Sequence, residues 1–139
     1  QPRSRGLGDV YKRQSFTSKD APEAKGPYSH AVKGCNLLFV SGQLGLNPKS
    51  GQLVEGGFKE EAKQAFANLH QVLKAANVSF AEVVKLTVFV TDLSHYSELN
   101  ELLKNLLVTP YPARSVVQVA ALPLNGQVEV EAIATFEGS

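Results

Sequence analysis

Arg114 is the residue of this chain best placed to recognise an anion, because Tyr111-Pro112-Ala113 lead into it. A proline pins its own backbone and restricts its predecessor, so Pro110 and Pro112 fix where the next strand starts and where its first side chains point. A guanidinium is a planar fork that grips a carboxylate through two parallel hydrogen bonds. The same charge could instead pair with Glu129 or Glu131 on a neighbouring strand, and the residue read by itself favours that ion pair. Glu129 and Glu131 stand two apart in a strand and therefore on one side of it. A carboxylate there can hold a water or move its proton. A glycosidase pair or a divalent-metal site finds no third acidic ligand close by in the sequence. Cys35 falls in a turn with no patterned partner and reads as inert. His30, His70 and His95 lack zinc-ligand spacing, and His70 and His95 read as solvated helix residues.

The elements that must position these groups are legible in the periodicity. Ser29–Lys33 and Asn36–Val40 read as short strands joined by a turn at Gly34-Cys35. Residues 41–57 hold five glycines and the turn Asn47-Pro48-Lys49-Ser50-Gly51. No phosphate-binding glycine pattern occurs there, so the stretch reads as a hairpin loop. Phe58, Ala62, Phe66, Leu69, Leu73 and Ala76 recur every three or four residues and predict a helix over 58–76, with Asn77 as its left-handed terminator. Over 84–90, Val84, Leu86, Val88 and Val90 point one way and Lys85, Thr87 and Phe89 the other. Asp92 or Ser94 caps a second helix over about 94–107, with Tyr96, Leu99, Leu103 and Leu106 on its buried face. Ser115–Ala120 and Gln127–Phe136 read as the last strands, joined by a turn near Leu124-Asn125-Gly126.

Two amphipathic helices can cover only one face of a sheet of five or six strands. The other face is expected to carry Gln127, Glu129, Glu131 and Arg114, with Phe89 and Ile133 among them, and to meet another subunit.

Composition narrows the class. The chain has 139 residues, one domain's length, and its single cysteine fits a reducing compartment. Residues 1–14 hold Arg3, Arg5, Lys12 and Arg13 against Asp9, so the formal charge of +1 hides an acidic remainder of ten basic and twelve acidic residues. That remainder lacks the field of a nucleic-acid binder, and no apolar run spans a bilayer. Residues 1–14 show no hydrophobic pattern and read as a non-native or disordered leader, similar to a translated sequencing adapter, leaving 15–139 as one domain. The expected location is cytoplasmic, or organellar if the leader is genuine.

Pro112-Ala113-Arg114-Ser115, Leu122-Pro123 and Val128-Glu129-Val130-Glu131-Ala132 together resemble the signature of the RidA family (reactive intermediate deaminases, also called YjgF). Ala21-Pro22, Gly26-Pro27-Tyr28, Val40-Ser41-Gly42-Gln43, Asn47-Pro48-Lys49-Ser50-Gly51 and 85–93 match its further blocks in order, so the resemblance covers about 16–136. It implies an α+β, chorismate-mutase-like fold: one mixed sheet of about six strands, two helices on one face, and a homotrimer with sites between subunits. It implies hydrolysis of reactive imines and enamines such as 2-aminoacrylate to 2-keto acids and ammonia, with no cofactor, metal, nucleic acid or membrane partner. Carried over by position, Arg114 would bind the substrate carboxylate, Glu129 would hold the attacking water, and Tyr28, Ser41 and Asn100 would line the pocket. A trimer that binds small 2-keto or imino acids without turning them over is the alternative.

Two departures stand out. Many close relatives carry a cysteine where this chain has Val116, so thiol chemistry is not expected there. The second helix has leucines (Leu102, Leu103, Leu106, Leu107) where relatives often have aromatics.

Overall fold

The computed structural model describes residues 13–136. Six strands form one sheet: β1 (Gln14–Phe16), β2 (Ala31–Gly34), β3 (Leu37–Leu44), β4 (Val83–Val90), β5 (Ala113–Gln118) and β6 (Val128–Thr135). Their spatial order is β1-β2-β3-β6-β4-β5, antiparallel throughout except for the parallel pair β4 and β5. Helix α1 (Phe58–Ala75) lies between β3 and β4 in the chain, and α2 (Tyr96–Leu106) between β4 and β5. A parallel neighbour cannot be reached by a tight turn, so α2 is the crossover that brings β5 alongside β4. The expected α+β architecture, one mixed sheet with two helices, is the one observed.

The core lies between the helices and one face of the sheet. Leu86, Val88, Val90, Val128, Val130, Ala132 and Ala134 alternate into it from β4 and β6. Phe58, Ala62, Phe66, Leu69 and Leu73 meet them from α1, on the predicted stripe. Asn77 ends α1 with φ 59°, and the Val78 amide donates to the Leu73 carbonyl at 2.9 Å, closing the turn. The Asp92 carboxylate accepts from the Ser94 amide at 2.9 Å, capping a 3-10 turn that runs into α2. No helix of the described residues is long and apolar enough to cross a membrane.

The structure corrects several expectations. β1 was not anticipated: three residues carry no periodicity, yet Gln14 pairs with Lys33 and Phe16 with Ala31. Gln14 therefore belongs to the sheet although it was read as leader; residues 1–12 of that leader lie outside the described residues. β3 continues to Leu44, past the predicted stop at Val40, because a bulge absorbs Ser41 and Gly42 without ending the pairing. A second irregularity, between Val83 and Lys85, reverses the start of β4: Val83 is 5% exposed and Val84 44%. Of the two helix histidines, His70 is exposed as expected and His95 is half-buried. His95 stacks on Phe58 with centroids 4.3 Å apart, and His70 on Phe80 at 5.7 Å.

Two buried polar side chains tie α1 to the sheet, Asn68 at the end of β3 and Glu61 at the start of β6. Asn68 Nδ2 donates to the carbonyls of Leu44 and Leu46 at 3.0 and 2.9 Å. The Glu61 carboxylate accepts from the Gln127 amide and side chain at 2.9 and 2.8 Å. On the far side of the sheet Phe39, Val84 and Val117 stay exposed, with Phe89 and Ile133 half-buried.

Candidate functional site

The parallel register of β4 and β5 decides where Arg114 points. Leu86 pairs with Arg114 and Val88 with Val116, so Arg114 shares the helix-covered face with two core residues. Thr87 pairs with Glu131 and Phe89 with Glu129, which puts both carboxylates on the open face. The expectation that Arg114 and Glu129 share a face is therefore wrong. Alternation along β4 sends residues 86 and 87 to opposite sides, and each takes its neighbours with it.

Arg114 lies on the edge strand, beside α2, in a cleft of about 520 Å3 that Asn100, Leu103, Lys104 and Tyr111 also line. Its Nη2 donates to the Tyr96 hydroxyl at 3.1 Å, and its guanidinium carbon stands 5.5 Å from the centre of that ring. Asn100 is one helical turn beyond Tyr96 and faces the same cleft. Among the described residues, no ion pair involves Arg114. The pairing with Glu129 or Glu131 that the residue alone suggested does not form within one chain.

Glu129 sits in a second cleft, of about 620 Å3, with Tyr28, His30, Ser41, Gly42 and Glu131 in its walls. The bulge in β3 shapes it. Val40 pairs with Ala132 and Gln43 with Val130, so Ser41 and Gly42 together stand opposite Glu131. A Cβ on Gly42 would lie 2.6 Å from Glu129 Oε2, so the missing side chain is what lets the carboxylate lie across β3. The Ser41 hydroxyl donates to the Ser29 carbonyl at 2.6 Å and its amide to the His30 carbonyl at 2.9 Å. The buried His30 ring joins the preceding segment to this wall: Nδ1 accepts from the Ser18 amide at 3.1 Å and Nε2 donates to the Pro22 carbonyl at 2.8 Å. Tyr28 is 52% exposed at the rim. Burial, and then the charge of Glu131, hold the Glu129 carboxyl above the usual carboxylate range.

The five residues singled out in the sequence thus fall into two groups. Arg114 and Asn100 share one cleft; Tyr28, Ser41 and Glu129 share the other. Sequence reasoning missed two participants. Tyr96 was placed on the buried face of α2 but is 44% exposed and turned to Arg114; its spacing of four from Asn100 was the available signal. Gly42 was read as loop, and a glycine directly after an apolar strand was the hint of a bulge.

Comparison with known proteins yields one family and many close relatives. The family described as Endoribonuclease L-PSP matches residues 18–136. A Bos taurus protein named 2-iminobutanoate/2-iminopropanoate deaminase is 49% identical over 122 residues, covering 88% of this chain and 89% of that one. The crystal structure of RidA from the Antarctic bacterium Psychrobacter superposes with a TM-score of 0.85 at 47% identity, covering 88% of this chain and 99% of that one. The E. coli protein TdcF, solved with bound serine, superposes with a TM-score of 0.80 at 34% identity, covering 88% of this chain and 98% of that one.

Proposed function

The chain belongs to the Endoribonuclease L-PSP family, which includes RidA, and on that premise we propose that it hydrolyses small 2-imino acids and their enamine tautomers to 2-keto acids and ammonia. One observation carries the proposal: Arg114 is a half-buried cation in a cleft, with no carboxylate partner in its own chain among the described residues. Such a group is held ready for an external anion. The deaminases at close to half identity and the serine bound in TdcF support a small amino-acid-like anion as that ligand.

In this reading Arg114 grips the carboxylate and Asn100 lines the same pocket. Glu129 takes a proton from a water whose oxygen adds to the C=N carbon, and the π electrons move to nitrogen. The tetrahedral adduct then collapses: Glu129 passes that proton to the nitrogen, the C–N bond breaks to release ammonia, and Glu129 takes up the hydroxyl proton of the adduct as the carbonyl forms, later giving it to solvent. The iminium carbon is already electrophilic, so orientation and a placed water suffice.

The site is assembled between copies in a homotrimer. The two clefts open on opposite faces of one sheet, and the open face carries the apolar Phe39, Val84 and Val117. An unpaired cation on one face and crowded carboxylates on the other are complementary, so a second copy can satisfy both at once. The nuclease of the family's description is not the activity assigned here, since residues 15–139 carry ten basic and twelve acidic side chains. A cytoplasmic place of action goes with this reading.

The test is release of 2-keto acid from an imine generated in the assay by an amino-acid oxidase. Wild type accelerates it and Arg114→Ala does not; an Arg114→Ala variant as fast as wild type would refute the assignment.

A further inference from the structure

We infer that Tyr96 is a positioning residue that decides which edge of the Arg114 guanidinium receives the substrate carboxylate. This rests on reading Arg114 as the carboxylate clamp and adds how the clamp is aimed. A guanidinium presents two paired edges, Nε with Nη2 and Nη1 with Nη2, so Nη2 belongs to both. Here Nη2 donates to the Tyr96 hydroxyl at 3.1 Å, and the ring of the same tyrosine lies against the guanidinium, 5.5 Å from centroid to carbon. Nη2 has two hydrogens, one for each edge. The hydrogen spent on Tyr96 closes the edge it serves and leaves the other whole. The carboxylate then arrives along one direction, which also sets where its C=N carbon lies relative to the carboxylate of Glu129.

Tyr96 can do this without being part of the core. It is the first residue of α2, follows the turn capped by Asp92, and is exposed. Ser97, Asn100, Glu101 and Lys104 line the cleft beyond it, and Lys104 pairs with Glu101 at 3.3 Å. Among the described residues the Tyr96 hydroxyl is the hydrogen-bond partner of the Arg114 side chain. A phenylalanine would keep the ring and remove only the acceptor.

The experiment measures binding of 2-ketobutyrate and of its uncharged amide by calorimetry, and imine turnover, for wild type, Tyr96→Phe and Arg114→Ala. Tyr96→Phe is expected to weaken 2-ketobutyrate by about three- to tenfold, to raise KM more than it lowers kcat, and to leave the amide unaffected. Equal losses for acid and amide would mark a general disturbance and overturn the inference. So would a Tyr96→Phe that binds the acid like wild type while Arg114→Ala does not, an outcome that leaves the clamp standing. An Arg114→Ala that still binds the acid like wild type defeats the clamp itself, and the role of Tyr96 falls with it.

Discussion

Arg114→Ala and Glu129→Gln should each abolish imine hydrolysis alone and restore it when the two variants are combined in one trimer. The proposed site requires this. Arg114 follows Leu86 onto the helix-covered face, and Glu129 follows Phe89 onto the open face, so the sheet itself separates the two groups in every chain. A site that uses both must draw Arg114 from one copy and Glu129 from a neighbour. When equal amounts of the variants are unfolded together and refolded, a given site receives an intact arginine with probability one half and an intact glutamate with the same probability. The mixture should therefore recover about one quarter of the wild-type specific activity. The same count follows trimer by trimer: about three quarters of the trimers are mixed, and each of those holds one complete site in three.

The assay is 2-keto acid release per milligram, with each variant refolded alone as the control. A complementary dilution uses wild type and the double variant Arg114→Ala/Glu129→Gln in equal parts. Sites between subunits leave about one quarter of full activity, whereas sites contained within one chain leave about one half. A mixture of single variants no more active than its components would refute the intersubunit site, and with it the use made of the two faces.

Three further outcomes follow from the same geometry. Gly42→Ala would place a methyl group 2.6 Å from Glu129 Oε2, so turnover should fall about tenfold or more while the thermal melting temperature stays close to wild type; undiminished turnover would mean that the carboxylate is not held where hydrolysis needs it. Asn68→Ala leaves the Leu44 and Leu46 carbonyls without their buried donor and should cost about 1–3 kcal/mol in urea unfolding, loosening the loop beside the Glu129 cleft. Trimer assembly should weaken as pH falls: Glu129 titrates above the usual carboxylate range in the separate chain, and Arg114 of a neighbour would lower it, so assembly releases protons and is favoured above that range. Sedimentation velocity between about pH 7.5 and about pH 5 reads this, and an oligomer that tightens on acidification would contradict the sign.

Much of this architecture was legible in the chain itself. The stripe of Phe58, Ala62, Phe66, Leu69 and Leu73, the alternation of β6 and the stop at Asn77 each record a local periodicity or a local backbone preference, and each is found in place. The errors gather where pairing, not periodicity, decides. Residues 14–16 become a strand only because β2 offers an edge, and Ser41-Gly42 stay in the sheet only because β6 tolerates two residues against one. Arg114 is the decisive instance. Ala113-Arg114-Ser115-Val116 alternates, but alternation says only that Arg114 and Val116 lie together, not which face they take. That choice comes from the register with β4, where Leu86 and Val88 are already committed to the core and draw Arg114 and Val116 to the same side. The arginine therefore stands at the rim of the helical layer beside Tyr96, on the side of the sheet away from Glu129. On the proposed reading, this register makes assembly a condition of the chemistry.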